Sequence, residues 1–232
     1  MNDEERALAI FSDRGAIYVN SHFVYASGKH GLDYVAKDVV HPHTADISRL
    51  CEMLAEHLVY RTDVIDSDVS IVIAPATAGI VLSQWTAHHL TGMTKHDFLA
   101  VYAEKGTVPI EDPEELGRDC FAETGSFVIR RGYERIVKGK GVVVVEDVLN
   151  TGGSVEEVIK AVKTAGGRVA VVAALCNRGG VTAEKIGAPR LVSLINVSMD
   201  AYEEGECPLC RAGVPIDTRA GHGKDFLLRQ KS

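Results

Sequence analysis

The chain has 232 residues, of which 46% are apolar and 25% charged, and a net charge of −7. That length and apolar share allow a sizeable buried core and exclude a mainly disordered polypeptide. The acidic balance argues against nucleic acid as a principal partner, and no apolar run approaches the roughly 18 residues that suggest a membrane span. The first residues, Met-Asn-Asp-Glu-Glu-Arg, have neither the cationic nor the apolar region of a signal peptide. Cys51, Cys120, Cys176, Cys207 and Cys210 form an odd, mostly scattered set. That pattern fits reduced thiols in the cytoplasm better than a disulfide framework.

In chain order, Asp3 to Phe11 reads as a short helix closed near Gly15, with acidic residues ahead of Ala7, Ile10 and Phe11. Residues 15–40 contain β-rich stretches broken at Ser27-Gly28-Lys29. From Thr44, a plausible N-cap, Ile47, Leu50, Cys51, Leu54 and Leu58 follow helical spacing. Ser70 to Ala74 is a buried strand, Pro75–Gly79 a turn, and Ile80 towards His89 a helix. Trp85 within it reads as core, and His88-His89 as the polar end of that helix. Phe98–Tyr102 is another strand. Residues 103–130 are polar and turn-prone, and are expected to form an insertion loop, with Glu111–Glu115 as a solvated face.

Gly141-Val142-Val143-Val144-Val145 is a run of β-branched residues suited to a central parallel strand covered on both faces. Ser154-Val155-Glu156-Glu157 predicts a capping box, and Val155, Val158, Ile159 and Val162 an apolar helix stripe ending at Gly166-Gly167. A strand at 168–174, a short helical piece near 183–186 and a strand at 191–197 follow. Alternating strands and helices predict right-handed βαβ units and an open, mainly parallel twisted sheet flanked by helices. The expected division is a domain over 1–198 and a C-terminal tail over 199–232.

Ligands of open α/β sheets sit beyond the carboxyl ends of the strands. There, after Val145, stand the carboxylates Glu146 and Asp147, then a loop running Asn150-Thr151-Gly152-Gly153-Ser154 into a helix N-terminus. Inward-turned backbone N–H groups and the helix dipole make such a loop a phosphate cradle. Two acids beside a phosphate need hydroxyl or Mg²⁺ partners, which a ribose 5-phosphate with free 2- and 3-hydroxyls can meet. A Walker-type loop is excluded because no Gly-Lys-Ser/Thr follows, and no Gly-x-Gly-x-x-Gly is present.

The run Val142 to Ser154 resembles the phosphoribosyl pyrophosphate (PRPP) motif of type I phosphoribosyltransferases, and residues 15–180 resemble the orotate branch of that family. The resemblance implies the type I phosphoribosyltransferase fold with a small hood built from the N- and C-terminal segments. It also implies Mg²⁺ as cofactor, PRPP and a nucleobase as substrates, and a cytoplasmic homodimer. Phe23 to Lys29, followed by Asp33-Tyr34, is similar to the family's Ser-Gly hairpin over the acceptor base, which assigns Lys29 and Tyr34 to that base. Pro75-Ala76-Thr77-Ala78-Gly79 is similar to the pyrophosphate loop, whose unusual peptide would fall at Ala76–Thr77. Lys105, with Arg130 and Arg131, would hold pyrophosphate.

The implied reaction moves 5-phosphoribosyl from PRPP to a nitrogen of a planar base, with Glu146 and Asp147 on the ribose hydroxyls and residues 150–154 on the 5-phosphate. Two family positions differ: a base-binding Lys is Ala26 here, and an Arg after the phosphate loop is Glu156. Lys29, Lys37 and Arg130-Arg131 are then the cations available to an orotate carboxylate. Weak orotate turnover is expected, with a purine or another base preferred. The alternative class is a PRPP- or nucleotide-sensing protein without turnover. Cys207-x-x-Cys210 has zinc-knuckle spacing, with His222 and Cys176 or Cys120 as the obvious further donors. Only two ligands are local, so no tightly bound metal is expected.

Overall fold

The computed structural model describes every residue except 26, 67, 110–120, 198 and 231–232. In chain order the first elements are α1 (Asp3–Asp13), β1 (Ile17–Tyr18), β2 (Phe23–Val24), β3 (His30–Gly31), β4 (Tyr34–Val35), α2 (Lys37–Val40) and α3 (Thr44–Tyr60). Then come β5 (Val69–Pro75), α4 (Gly79–Thr94), β6 (Leu99–Pro109), β7 (Phe121–Val128), α5 (Tyr133–Val137) and β8 (Gly141–Leu149). The last are α6 (Gly153–Thr164), β9 (Arg168–Asn177), β10 (Leu191–Asn196), α7 (Pro208–Arg211) and α8 (Gly223–Arg229). Two compact units result: residues 47–196, and residues 1–46 together with 197–232.

The larger unit is built on a six-stranded sheet ordered β10-β9-β8-β5-β6-β7. It is parallel except where β7 runs antiparallel to β6. The β-branched run predicts this centre correctly: Val142 to Val145 are fully buried on β8, as are Val72, Ile73 and Ala74 on β5. The stripe Val155, Val158, Ile159 and Val162 on α6 packs into the same core as Ile71, Ile73 and Val144. Burial of a side chain of this size stabilises the fold by roughly 1.5–3 kcal/mol each.

Three expectations need correction. Residues 103–109 and 121–128 are not loop but an antiparallel pair, with Lys105 opposite Phe127 and Thr107 opposite Glu123. The alternation that marks a half-buried strand is absent there because polar side chains such as Lys105, Thr107 and Glu123 are exposed. The acidic stretch 111–115 lies outside the described residues. Residues 183–187 form turns rather than a helix. The capping box does not form either: α6 starts at Gly153, after Gly152 at φ 87°, with no side-chain cap. Ser154 therefore sits within the first turn.

In the smaller unit, the tail does not stand apart at 199–232 but folds with the first 46 residues. Backbone groups join the two ends: Asp217 N–H donates to the His22 carbonyl (2.7 Å), and His222 N–H to that of Val24 (2.8 Å). His30 and Tyr202 exchange a reciprocal pair at 2.8 Å each. β1 pairs with β4 and β2 with β3, both antiparallel. The rings of Tyr18, Phe23, Tyr25 and Tyr34 form a contact chain with centroids 5.6–6.3 Å apart. Sequence patterning misses this joint because its partners lie on opposite ends of the chain. Among the described residues, no helix is long and apolar enough to cross a membrane.

Candidate active site

β9, β8 and β5 end at one edge of the sheet, where β6 runs on past Ala103 into its arm with β7, and the sequence-predicted phosphate-handling residues of the larger unit gather around that edge and the start of the arm. β8 carries Glu146 and Asp147, 8% and 1% exposed. Local hydrogen bonds orient both carboxylates: the Asp147 N–H donates to Glu146 Oε1 (3.0 Å) and the Val148 N–H to Asp147 Oδ1 (2.6 Å). Past β8, Glu146 and residues 148–155 line one recess. Asn150, Thr151, Gly153 and Ser154 are exposed within it.

Gly152 shows why the loop has its sequence. Its φ of 87° belongs to the left-handed region, and an added Cβ would stand 2.5 Å from Ile186 Cγ2. At Gly153, by contrast, an added Cβ would meet only Thr151 Oγ1, at 3.7 Å. The N-terminal N–H groups of α6 thus open onto the recess without a side-chain cap. That is the arrangement in which a helix end binds an anion.

On the other side of β8 lies β5. The Ala76 N–H at its end donates to the Ala103 carbonyl of β6 (2.8 Å). This bond brings the turn Ala76-Thr77-Ala78-Gly79 beside the stretch leading to Lys105. The Ala76–Thr77 peptide is cis, at the bond singled out in the sequence. Lys105 is exposed and pairs with Glu123 across the β6–β7 arm (Nζ–Oε2 2.7 Å). Arg131 forms a fork with Glu104, Nη2–Oε1 at 2.8 Å and Nε–Oε2 at 3.2 Å. That fork holds the Glu104 carboxyl below its ordinary pKa. Arg131 also lies over the Tyr102 ring (5.9 Å) and adopts a left-handed backbone, φ 65°. Arg130 is exposed.

The structure adds a residue that sequence reasoning missed. Asn177 ends β9 beside Leu149 of β8, and the next two N–H groups, of Arg178 and Gly179, both donate to the Leu149 carbonyl at 3.0 Å. A Cβ on Gly179 would fall 1.5 Å from the Asn150 carbonyl oxygen, so the 178–180 turn lies directly against the phosphate loop. The buried Asn177 side chain fastens the turn by two bonds to Val181, 2.9 and 3.0 Å. The readable signal was a cation a few residues after the strand expected at 168–174 and directly before Gly179-Gly180. It places Arg178 at the same carboxyl edge as Glu146.

Lys29 and Tyr34 belong to the smaller unit. Lys29 pairs with Glu203 (2.9 Å) and Tyr34 joins the ring chain described above. Ala26 lies outside the described residues. The smaller unit also holds a cluster of which the sequence suggested only the cysteines: His22, His30, Cys207 and Cys210 bring one donor atom each within 4.8 Å of one another. Burial, then His22, lowers the pKa of His30. The donors proposed from sequence are not there. His222 faces Asp225 (3.3 Å), Cys176 is buried on β9, and Cys120 is outside the described residues.

Residues 44–206 match the model of the phosphoribosyl transferase domain family. The chain is 33% identical over 216 residues to an orotate phosphoribosyltransferase of Caldicellulosiruptor bescii, covering 92% of this chain and 95% of that one. It is 34% identical over 210 residues to the enzyme of the same name from Chlorobaculum parvum, covering 90% and 92%. The fold is that of the orotate phosphoribosyltransferase of Francisella tularensis (TM-score 0.56, 15% identity, 82% of this chain and 84% of that one).

Proposed function

The chain belongs to the phosphoribosyltransferase family, among relatives of the orotate type, and from that premise we propose that it transfers 5-phosphoribosyl from PRPP to orotate with release of pyrophosphate. The observation that carries the reading is the shared carboxyl edge of β9, β8 and β5, which brings together the buried acids Glu146 and Asp147 and an uncapped helix end. The α6 N–H groups and the hydroxyls of Thr151 and Ser154 bind the 5-phosphate. Asp147 and Glu146 accept hydrogen bonds from the ribose hydroxyls. Their negative charge stabilises the positive charge that develops at the anomeric carbon as the pyrophosphate bond breaks.

The turn 76–79 receives the leaving pyrophosphate through the backbone N–H groups of residues 77–79. Lys105, Arg130 and Arg131 neutralise it, Lys105 and Arg131 exchanging Glu123 and Glu104 for the incoming anion. Two carboxylates next to a phosphate cradle fit a hard, oxygen-seeking cation. Mg²⁺ arriving with PRPP would supply charge neutralisation for the leaving group beside Glu146 and Asp147. Tyr34 and Lys29 remain assigned to the base side, and the proposal includes a cytoplasmic homodimer.

Orotate brings a carboxylate that needs a cation, because burying it unpaired costs several kcal/mol. Arg178 supplies one at the carboxyl edge. The proposal sets Arg178 against the expectation, drawn from Ala26 and Glu156, that orotate turnover is weak. Steady-state pyrophosphate release with orotate, uracil, adenine, guanine and hypoxanthine tests the reading. We expect orotate to be the best substrate, with kcat/KM above roughly 10⁴ M⁻¹s⁻¹. Faster turnover of a purine would overturn the acceptor, and PRPP binding without turnover of any base would favour a sensor.

A further inference from the structure

Two histidines from the β2–β3 hairpin meet two cysteines of the C-terminal segment, across 180 to 188 positions of sequence. His22 Nε2 lies 2.9 Å from His30 Nδ1, 3.6 Å from Cys207 Sγ and 3.7 Å from Cys210 Sγ. Cys210 Sγ lies 3.4 Å from His30 Nδ1. With Zn–S of about 2.3 Å and Zn–N of about 2.0 Å, a tetrahedral zinc ion holds its donors roughly 3.3 to 3.8 Å apart. The sulfur–nitrogen separations already match that spacing.

The surroundings prepare the donors. His22 Nδ1 is 2.7 Å from the Val214 carbonyl, which can only accept, so Nδ1 carries the proton and Nε2 turns its lone pair to the cluster. A backbone carbonyl behind a ligating imidazole is the usual support of a zinc histidine. Cys207 caps the short helix α7, with the Arg211 N–H donating to its carbonyl at 3.2 Å. This turn brings both sulfurs of Cys207-Pro208-Leu209-Cys210 to one side. His22, His30 and Cys207 are no more than 1% exposed. Cys210 closes the cluster from the exposed side, and three buried polar groups gathered with it call for a common partner. Two thiolates and two neutral imidazoles exactly balance the charge of a divalent ion.

We propose that His22 Nε2, His30 Nδ1, Cys207 Sγ and Cys210 Sγ form a closed, four-ligand zinc site that fastens the N-terminal hairpin to the C-terminal segment. A full set of protein donors leaves no position for water or substrate, so the role is structural. The sulfur–nitrogen donor set selects zinc over the oxygen-seeking Mg²⁺ of the phosphate chemistry. The proposal departs from the expectation of no tightly bound metal, whose premise was that only two ligands were local.

The test uses the full chain purified without a polyhistidine tag. Elemental analysis should find one zinc per chain, with Cys210→Ser and His30→Ala each reducing it to a trace. Because either variant can misfold, the wild-type chain is also stripped with a chelator under reducing conditions and reloaded with Co²⁺ or Zn²⁺. Co²⁺ should give a thiolate charge-transfer band and the visible bands of tetrahedral coordination. Removal of zinc should lower the melting temperature by several degrees, and its return should restore it. Stoichiometric zinc retained in Cys210→Ser, a melting temperature indifferent to zinc, or a Cys207–Cys210 disulfide in freshly prepared protein would each overturn the proposal.

Discussion

The two units of this chain gather their polar residues in opposite ways. In the sheet unit, the cradle is local: Glu146, Asp147 and residues 150–154 follow one another, and the geometry of one strand, one turn and one helix start brings them together. In the unit made of the two chain ends, His22 meets Cys207 only because the ends fold on one another. The first arrangement works with backbone N–H groups and acids fixed by secondary structure. The second joins short strands of two residues each, which need ring contacts and polar links to hold them. The contrast separates where changes should affect chemistry from where they should affect assembly.

The largest effect should come from the cradle. Asp147→Asn removes a charge at a side chain 1% exposed. It should lower kcat/KM by about 100-fold or more while leaving the far-ultraviolet circular dichroism unchanged, since the developing positive charge loses its counter-charge. A loss below tenfold would mean that this acid does not face the reacting carbon. Next in size is Ile71→Ala, on β5 and 1% exposed. Here the cost should appear in stability, about 2–5 kcal/mol, with kcat/KM of the folded protein preserved. Denaturant melts and kinetics on the same sample check both halves.

Arg178→Ala sharpens the comparison from the site side. An Arg–carboxylate bond contributes roughly 1.5–3 kcal/mol, so the KM for orotate should rise about tenfold to a hundredfold. PRPP binding should change little. Equal losses for PRPP and orotate would instead assign Arg178 to the 178–180 turn as a structural element.

The sheet was legible because each of its signals is short-range. The run Val142–Val145 marks a central strand, Val155 to Val162 marks a helix face, and Gly152-Gly153 marks the turn between them. The arm formed by β6 and β7 was not legible, because polar residues on both faces of a strand erase the period-2 pattern. Arg178 was passed over because nothing local ties it to the phosphate loop. The tie is the pair of N–H bonds to Leu149, 29 and 30 positions away in sequence. Cys207 and Cys210 were readable as a pair. Their histidine partners were not, since His22 and His30 look like ordinary hairpin residues until the tail closes on them.

The smallest effect we expect lies at the joint between the chain ends, where Asp217 collects several bonds. Its carboxylate accepts from Ser21 Oγ (2.8 Å) and from Arg219 Nη2 (2.5 Å), and its N–H donates to the His22 carbonyl. The Arg219 bonds, chief among the causes, hold the Asp217 carboxyl well below the usual carboxylate range. A depressed pKa in the folded state means that this stabilisation is fully present above the unfolded value, near ~3.9. It is lost as pH falls through the folded value. Asp217→Asn should therefore cost about 1 kcal/mol at neutral pH, or roughly 2–4 °C in melting temperature for a chain of this size. The gap between wild type and variant should narrow as pH falls below about 4, because the unfolded wild-type chain then takes up a proton that the folded carboxylate, held by Arg219, does not. Parallel melts from pH 3 to 8 decide the point on the scale set by that titration. A gap that stays constant with pH would mean that the packing of the 214–219 segment, and not the charge on Asp217, fastens the tail to the hairpin.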